Sequence, residues 1–110
     1  MLYTDAAHFF THADGIARLS REEEKRLGAR AAAGDKAAAQ ALTNSYLPVL
    51  AAYLKRYADP PSLHLIYMGV ETLTEAVASF DFQAENPTFT RFLGDRVRRM
   101  VTRYIADNPT

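Results

Sequence analysis

Five arginines, Arg91, Arg96, Arg98, Arg99 and Arg103, fall between Phe89 and Ile105 against a single acid, Asp95, giving that stretch a net charge of +4. A guanidinium group is planar, permanently charged and rich in N–H donors, which suits it to phosphate and carboxylate oxygens. Arg96, Arg99 and Arg103 recur at steps of three and four, so on an α-helix they form one row; Arg91, Arg98 and Thr102 form a second row beside it. Such a face either binds an anion or is simply solvated, and both readings fit the spacing. The preceding stretch, residues 64–88, carries Glu71, Glu75, Asp81 and Glu85 and no lysine or arginine. The whole chain is neutral, with 13 basic against 13 acidic residues. Any contact with a polyanion is therefore confined to the last helix, and does not follow from general basicity.

Other chemistries have less to stand on. His8 and His12 are spaced i,i+4 like a metal pair, but no third ligand is near in sequence, and two surface histidines fit better. His64, beside Pro60 and Pro61, reads as a loop-edge residue. There is no cysteine, hence no disulfide framework and no thiolate nucleophile. Ser20 has no histidine at a motif-like distance and reads as a helix cap; Glu22, Glu23 and Glu24 suit the positive end of that helix. The five glycines are scattered and form no phosphate loop. No enzyme activity, cofactor, metal or small-molecule substrate is expected. No apolar run approaches the roughly 20 residues of a membrane span, and residues 1–20 lack a signal-peptide pattern, so the expected location is cytoplasmic, with no membrane partner.

The elements that must position these residues are helical. With 110 residues, nearly half of them hydrophobic, the chain suffices for one all-α domain, a compact bundle of about five helices. The spacing predicts helices over about 4–14, 20–33, 36–57, 62–79 and 89–106, and nothing alternates with period two. Thr4 is placed to cap the first helix and Gly15 to stop it. Ser20 with Glu23 makes a capping box for the second, and Gly34 takes a left-handed turn before Asp35 caps the third. Pro48 should bend or break the third helix near Tyr46. Asp59, Pro60 and Pro61 end it, and Ser62 caps the fourth. Asn86 and Pro87 turn the chain, and Thr88 or Thr90 caps the last helix, whose apolar stripe is Phe89, Leu93, Val97, Met100, Val101, Tyr104 and Ile105.

In order along the chain stand Ser20 to Glu24, Leu27, Gly34, Asp35, Ala38, Leu42, Leu47 and Lys55 to Tyr57. Then come Leu65, Ile66, Gly69, Leu73, Ala76, Val77, Phe80 to Phe82, Phe89, Thr90, Val97, Arg98, Thr102 and Arg103. The series resembles conserved region 2, with the preceding region 1.2, of bacterial RNA polymerase sigma factors of the sigma-70 family, over about residues 5–107. The resemblance implies that the fourth helix docks on the clamp helices of the RNA polymerase core, through positions His64, Tyr67, Met68, Glu71 and Thr74. It implies too that the last helix binds promoter DNA at the minus-ten element and captures flipped bases of one strand. Arg91, Phe92, Arg96, Arg98, Arg99, Thr102 and Arg103 would do this, with Phe80, Phe82 and Phe89 around the approach. Cations along the backbone and aromatic faces for bases are what single-strand capture requires.

The chain departs from the family pattern at identifiable points. Asp95 and Arg96 stand where housekeeping members have two tryptophans, and Arg99 replaces a glutamine; Tyr46 and Pro48 replace an asparagine and an arginine. His64, Tyr67, Met68 and Val70 replace polar residues that meet the polymerase. If Tyr67 and Met68 project, they form an apolar patch of the kind that marks a partner surface. The alternative expectation is therefore a sigma-derived interaction module that dimerises or binds a regulatory protein and has lost promoter melting. These residues include no counterpart of the parts that read the minus-thirty-five element, which fits either a fragment of a longer factor or a stand-alone relative.

Overall fold

The computed structural model describes residues 3–58, 61–84 and 88–107, and among them there is no strand. Six helices are described: α1 (Ala6–Asp14), α2 (Arg21–Ala32), α3 (Lys36–Ser45), α4 (Leu47–Tyr57), α5 (Leu63–Ser79) and α6 (Phe89–Asp107). The all-helical class is as expected, and the number differs because the long third helix is two. The break falls at Tyr46 (φ −100°, ψ 3°), two residues before Pro48. Proline has no N–H to bond and its ring crowds the carbonyl four residues back, so it bends or breaks a helix but is accepted in a first turn, where Pro48 stands in α4. The carbonyls stranded at the end of α3 find local donors. Ser45 Oγ donates to the Leu42 carbonyl at 2.7 Å and the Tyr46 N–H to that of Thr43 at 3.2 Å.

The other boundaries follow from caps. Ser20 and Glu23 bond reciprocally, each side chain accepting the other residue's N–H at 3.1 Å. Gly34 sits at φ +102°, where a Cβ would be strained, and Asp35 accepts the Ala38 N–H at 3.1 Å. Ser62 caps α5 by accepting the Leu65 N–H at 3.1 Å. At α1 the cap is Asp5, one residue later than expected: its carboxylate accepts the His8 N–H at 2.9 Å, while the Thr4 N–H turns to His8 Nδ1. Gly15 closes α1 in right-handed geometry. The Thr88 carbonyl accepts the Phe92 N–H at 3.0 Å, which puts Thr88 at the entry of α6 and Thr90 inside it. The turns expected at Asp59–Pro60 and Asn86–Pro87 lie outside the described residues.

α4 lies at the centre, packed against α1, α5 and α6, while α2 and α3 pair on one flank and α3 also meets α5. Phe9, Leu42, Leu50, Leu54, Leu65, Ile66, Leu73, Leu93 and Val97 are fully buried and join these helices into one core. On α6 the apolar stripe holds as far as Val101, whereas Ile105 is 52% exposed, against expectation. The cap bonds reach only to neighbours in sequence, so the tertiary arrangement rests on this apolar contact and on a few long-range side-chain bonds such as Tyr46 to Glu24 and Tyr53 to Thr90.

Candidate functional site

Where α4 crosses the first half of α6, the beginning of α2 closes one end of an open cleft of about 660 Å³. Three segments furnish its walls. Arg18, Arg21 and Glu24 come from α2 and its approach, and Tyr53, Arg56 and Tyr57 from α4. Thr88 to Arg91, Gly94, Asp95 and Arg98 come from α6 and its entry, and Tyr46 lines the cleft from the α3–α4 break. Five arginines thus face two acids. A smaller hollow of about 430 Å³ adjoins it, sharing Arg18, Tyr53, Arg56 and Thr90 and adding the apolar Pro48, Val49 and Ala52.

Each wall has a local cause. At Gly94 a Cβ would lie 2.6 Å from the Tyr53 ring, so only glycine lets that ring press onto α6. From there the Tyr53 hydroxyl donates to the Thr90 carbonyl at 3.1 Å, and the ring lies parallel to that of Tyr57, one turn on, with centroids 6.1 Å apart. The break that Pro48 imposes leaves Tyr46 pointing inward. Its hydroxyl donates to Glu24 Oε2 at 2.7 Å, and its ring lies 4.5 Å from that of Phe89. Arg18 stands over the Tyr46 ring at 5.2 Å. Burial, and then the Glu24 carboxylate, push the Tyr46 hydroxyl well above the usual phenol range, so it keeps its proton and acts as a donor. Arg21 is anchored to the Ala84 carbonyl at 2.8 Å, and Gln83 Nε2 to that of Lys25 at 2.7 Å, which ties residues 80–84 to α2.

The arginines of α6 divide between surroundings that the two-row picture does not distinguish. Arg91 and Arg98 line the cleft. Asp95 takes Arg98 on one oxygen at 2.8 Å and Arg99 on the other at 3.0 Å, bridging the two rows. The guanidinium groups remain open to solvent, their side chains 58% and 74% exposed. The Arg98 hydrogen bond, and then the neighbouring guanidinium charges, hold the Asp95 carboxyl below the ordinary range. Arg96 lies 4.6 Å above the half-buried Phe92 ring and covers that face. Thr102 turns its hydroxyl to the Arg98 carbonyl of its own helix at 2.8 Å, and Arg103 is exposed. Phe82 and Phe89 are buried, and with Phe80 and Phe92 they form a cluster with ring centroids about 5 to 6 Å apart.

On α5, His64, Glu71 and Thr74 are exposed and Met68 and Val70 half-buried. Tyr67 is 36% exposed, but its hydroxyl donates to the Tyr3 carbonyl at 2.9 Å, so it works as a strap for the segment before α1. The apolar patch expected from Tyr67 and Met68 is correspondingly reduced. His8 and His12 face the same segment, His12 Nδ1 lying 2.7 Å from the Tyr3 hydroxyl. Among the described residues no three metal-ligating side chains converge, and no helix is long and apolar enough to cross a membrane.

Reasoning from sequence puts the DNA-binding residues on α6 and its approach and the polymerase-facing residues on α5. It misses Arg18, Arg21, Glu24, Tyr46 and Tyr53, and treats Arg56 and Tyr57 only as landmarks. The i,i+4 pair Tyr53 and Tyr57 flanking Arg56 is a local signal that could have led there. Compared with known proteins, the chain matches no protein-family profile and no curated protein.

Proposed function

We propose that this chain is a sigma-factor-like transcription protein that holds single-stranded promoter DNA of the minus-ten element in the α2–α4–α6 cleft and along α6, and meets the RNA polymerase core through α5. The observation that carries the reading is the meeting of Arg18, Arg56, Arg91 and Arg98 with Tyr46, Tyr53 and Tyr57 in one open cleft of a neutral chain. Cations that follow a phosphate backbone and rings that offer faces to bases are the two requirements of single-strand binding, and three separate segments bring them together here. The ordered resemblance to region 2 of sigma factors supplies the promoter and the polymerase. The test is binding of a fluorescent single-stranded minus-ten oligonucleotide across a salt series. Each phosphate contact contributes a slope of about 0.7 in log affinity against log salt, so Arg91→Gln and Arg98→Gln should each flatten the dependence by roughly that amount. Binding indifferent to salt and to both substitutions would remove the DNA half of the reading, and failure to retain purified polymerase core the other half.

A second reading keeps the fold and changes the partner: a sigma-derived module that dimerises or binds a regulatory protein. It is favoured by Asp95, which engages two α6 arginines, and by Tyr67 and Ile105, the large exposed hydrophobics among the described residues. Sedimentation decides the dimer form. An assembly larger than a monomer that Ile105→Asp dissolves supports it, and a monomer at all concentrations removes it.

A further inference from the structure

We infer that the hollow beside the cleft binds a small amphipathic carboxylate, its hydrocarbon tail lying on α4 and its charged head meeting Arg18 and Arg56. Pro48, Val49, Ala52, Tyr53 and Arg56 follow one another along a single strip of α4, with Arg18 and Thr90 joining them from the neighbouring segments. The hollow measures about 430 Å³, within the roughly 300 to 1,000 Å³ usual for small-ligand sites. While α1, α5 and α6 pack on α4, this strip stays open to a ligand: Pro48, Val49 and Tyr53 are half-buried and Ala52 is exposed. Adjacent apolar surfaces left in water gain when a hydrocarbon covers them.

The charge around the strip has one sign. Arg18 and Arg56 are exposed, and among the described residues neither forms an ion pair, in contrast to Arg30, Arg98 and Arg99. No acid lines the hollow, whereas Glu24 and Asp95 line the larger cleft. The Arg18 and Arg56 guanidinium carbons lie 5.2 and 6.0 Å from the centres of the Tyr46 and Tyr57 rings. A ring face attracts a guanidinium but engages few of its N–H donors, which leaves donors for a carboxylate. A phosphate strand would meet the charge and leave the apolar strip wet, and a neutral hydrocarbon would do the reverse. An amphipathic acid meets both requirements. The inference does not depend on the nucleic-acid reading, but Arg18 and Arg56 also line the cleft, so an acid held here competes with a strand for the same charges.

The test is an NMR titration of the full isotope-labelled chain with octanoate, octanol, octylammonium and acetate, each below its micelle-forming concentration. Octanoate should bind about tenfold or more tightly than each of the others, because octanol lacks the charge, octylammonium reverses it and acetate lacks the tail. The signals that move should be those of Val49, Ala52 and Thr90. Arg18→Gln and Arg56→Gln should each weaken binding by about threefold, the scale of an exposed ion pair. Ala52→Glu, at an exposed helical position where folding is little affected, should remove most of it. Equal affinity for octanoate and octanol, signals that move elsewhere, or no binding at all overturns the inference. An acidic amphipathic peptide that binds these residues when octanoate does not also overturns it, and assigns the hollow to a protein partner. No nucleic acid enters the titration, so its failure and the failure of strand binding are told apart.

Discussion

The two ends of α6 carry the same pattern in the sequence, an apolar stripe beside arginines, and they meet different surroundings. In the first half Leu93 and Val97 are fully buried, Gly94 admits the Tyr53 ring, and Arg91 and Arg98 face the cleft. In the last turns the half-buried Tyr104 lies against the His64 ring and shares a hydrogen bond with Ser62 at 3.2 Å, Ile105 is 52% exposed, and Arg103 faces solvent. Amphipathic spacing says which residues share a face of a helix. It is silent on how far along the helix a neighbour covers that face.

Four experiments test that contrast. The largest effect is expected from Leu93→Ala, which should destabilise the fold by about 2 to 5 kcal/mol, whereas Ile105→Ala should stay within about 0.5 kcal/mol; chemical denaturation measures both. An equal cost at the two positions would mean that the ends of α6 are alike after all. Next, Arg91→Gln with Arg98→Gln should flatten the salt dependence of oligonucleotide binding by about 1.4 in slope, and Arg103→Gln by less than half of that. A larger loss at Arg103 would move the interface from the cleft to the end of the helix. Removing the acid in the first half, Asp95→Asn, should raise affinity by about threefold at low salt, because it frees Arg98 and Arg99 and removes a repulsion of phosphate. Unchanged or weaker binding would show that Asp95 positions those arginines instead of competing for them.

The smallest effect is the acid dependence of stability. The Asp95 carboxyl is held low by Arg98, that of Glu23 by the Ser20 N–H and hydroxyl, and that of Asp35 by the Ala38 N–H and Arg30. Each carboxyl binds its proton less tightly folded than unfolded. Their contribution is therefore complete above the unfolded-state value and lost as the pH falls through about 4 and below. All three lie at the surface, so the expected change is a shallow decline in melting temperature, shallower still in Asp95→Asn. A rise in stability on acidification would reverse the sign of this account.

Much of the fold was legible in advance because its signals are local. A cap is read from residues three apart, as with Ser20 and Glu23 or Asp35 and Ala38, and the break at Tyr46 follows from what proline does to a hydrogen-bonded turn. The error at α1 was of the same short range: Thr4 and Asp5 are both capping types, and Asp5 holds the position one residue before the helix. The cleft was not legible in the same way. Glu24 and Tyr46 meet across 22 positions of chain and Tyr53 reaches Thr90 across 37, so no window of periodicity contains either pair.

By itself, then, the sequence determined that the chain is helical, where most helices begin and end, and that positive charge gathers on the last of them. Hydrogen bonding to the nearest backbone groups and the three-to-four spacing of apolar residues suffice for that. The tertiary structure alone decided which arginines share a space with tyrosines and that a carboxylate from α2 stands inside the cleft. Those relations depend on how α4 packs between α1, α5 and α6, and that packing is settled by the joint fit of buried side chains from separate parts of the chain.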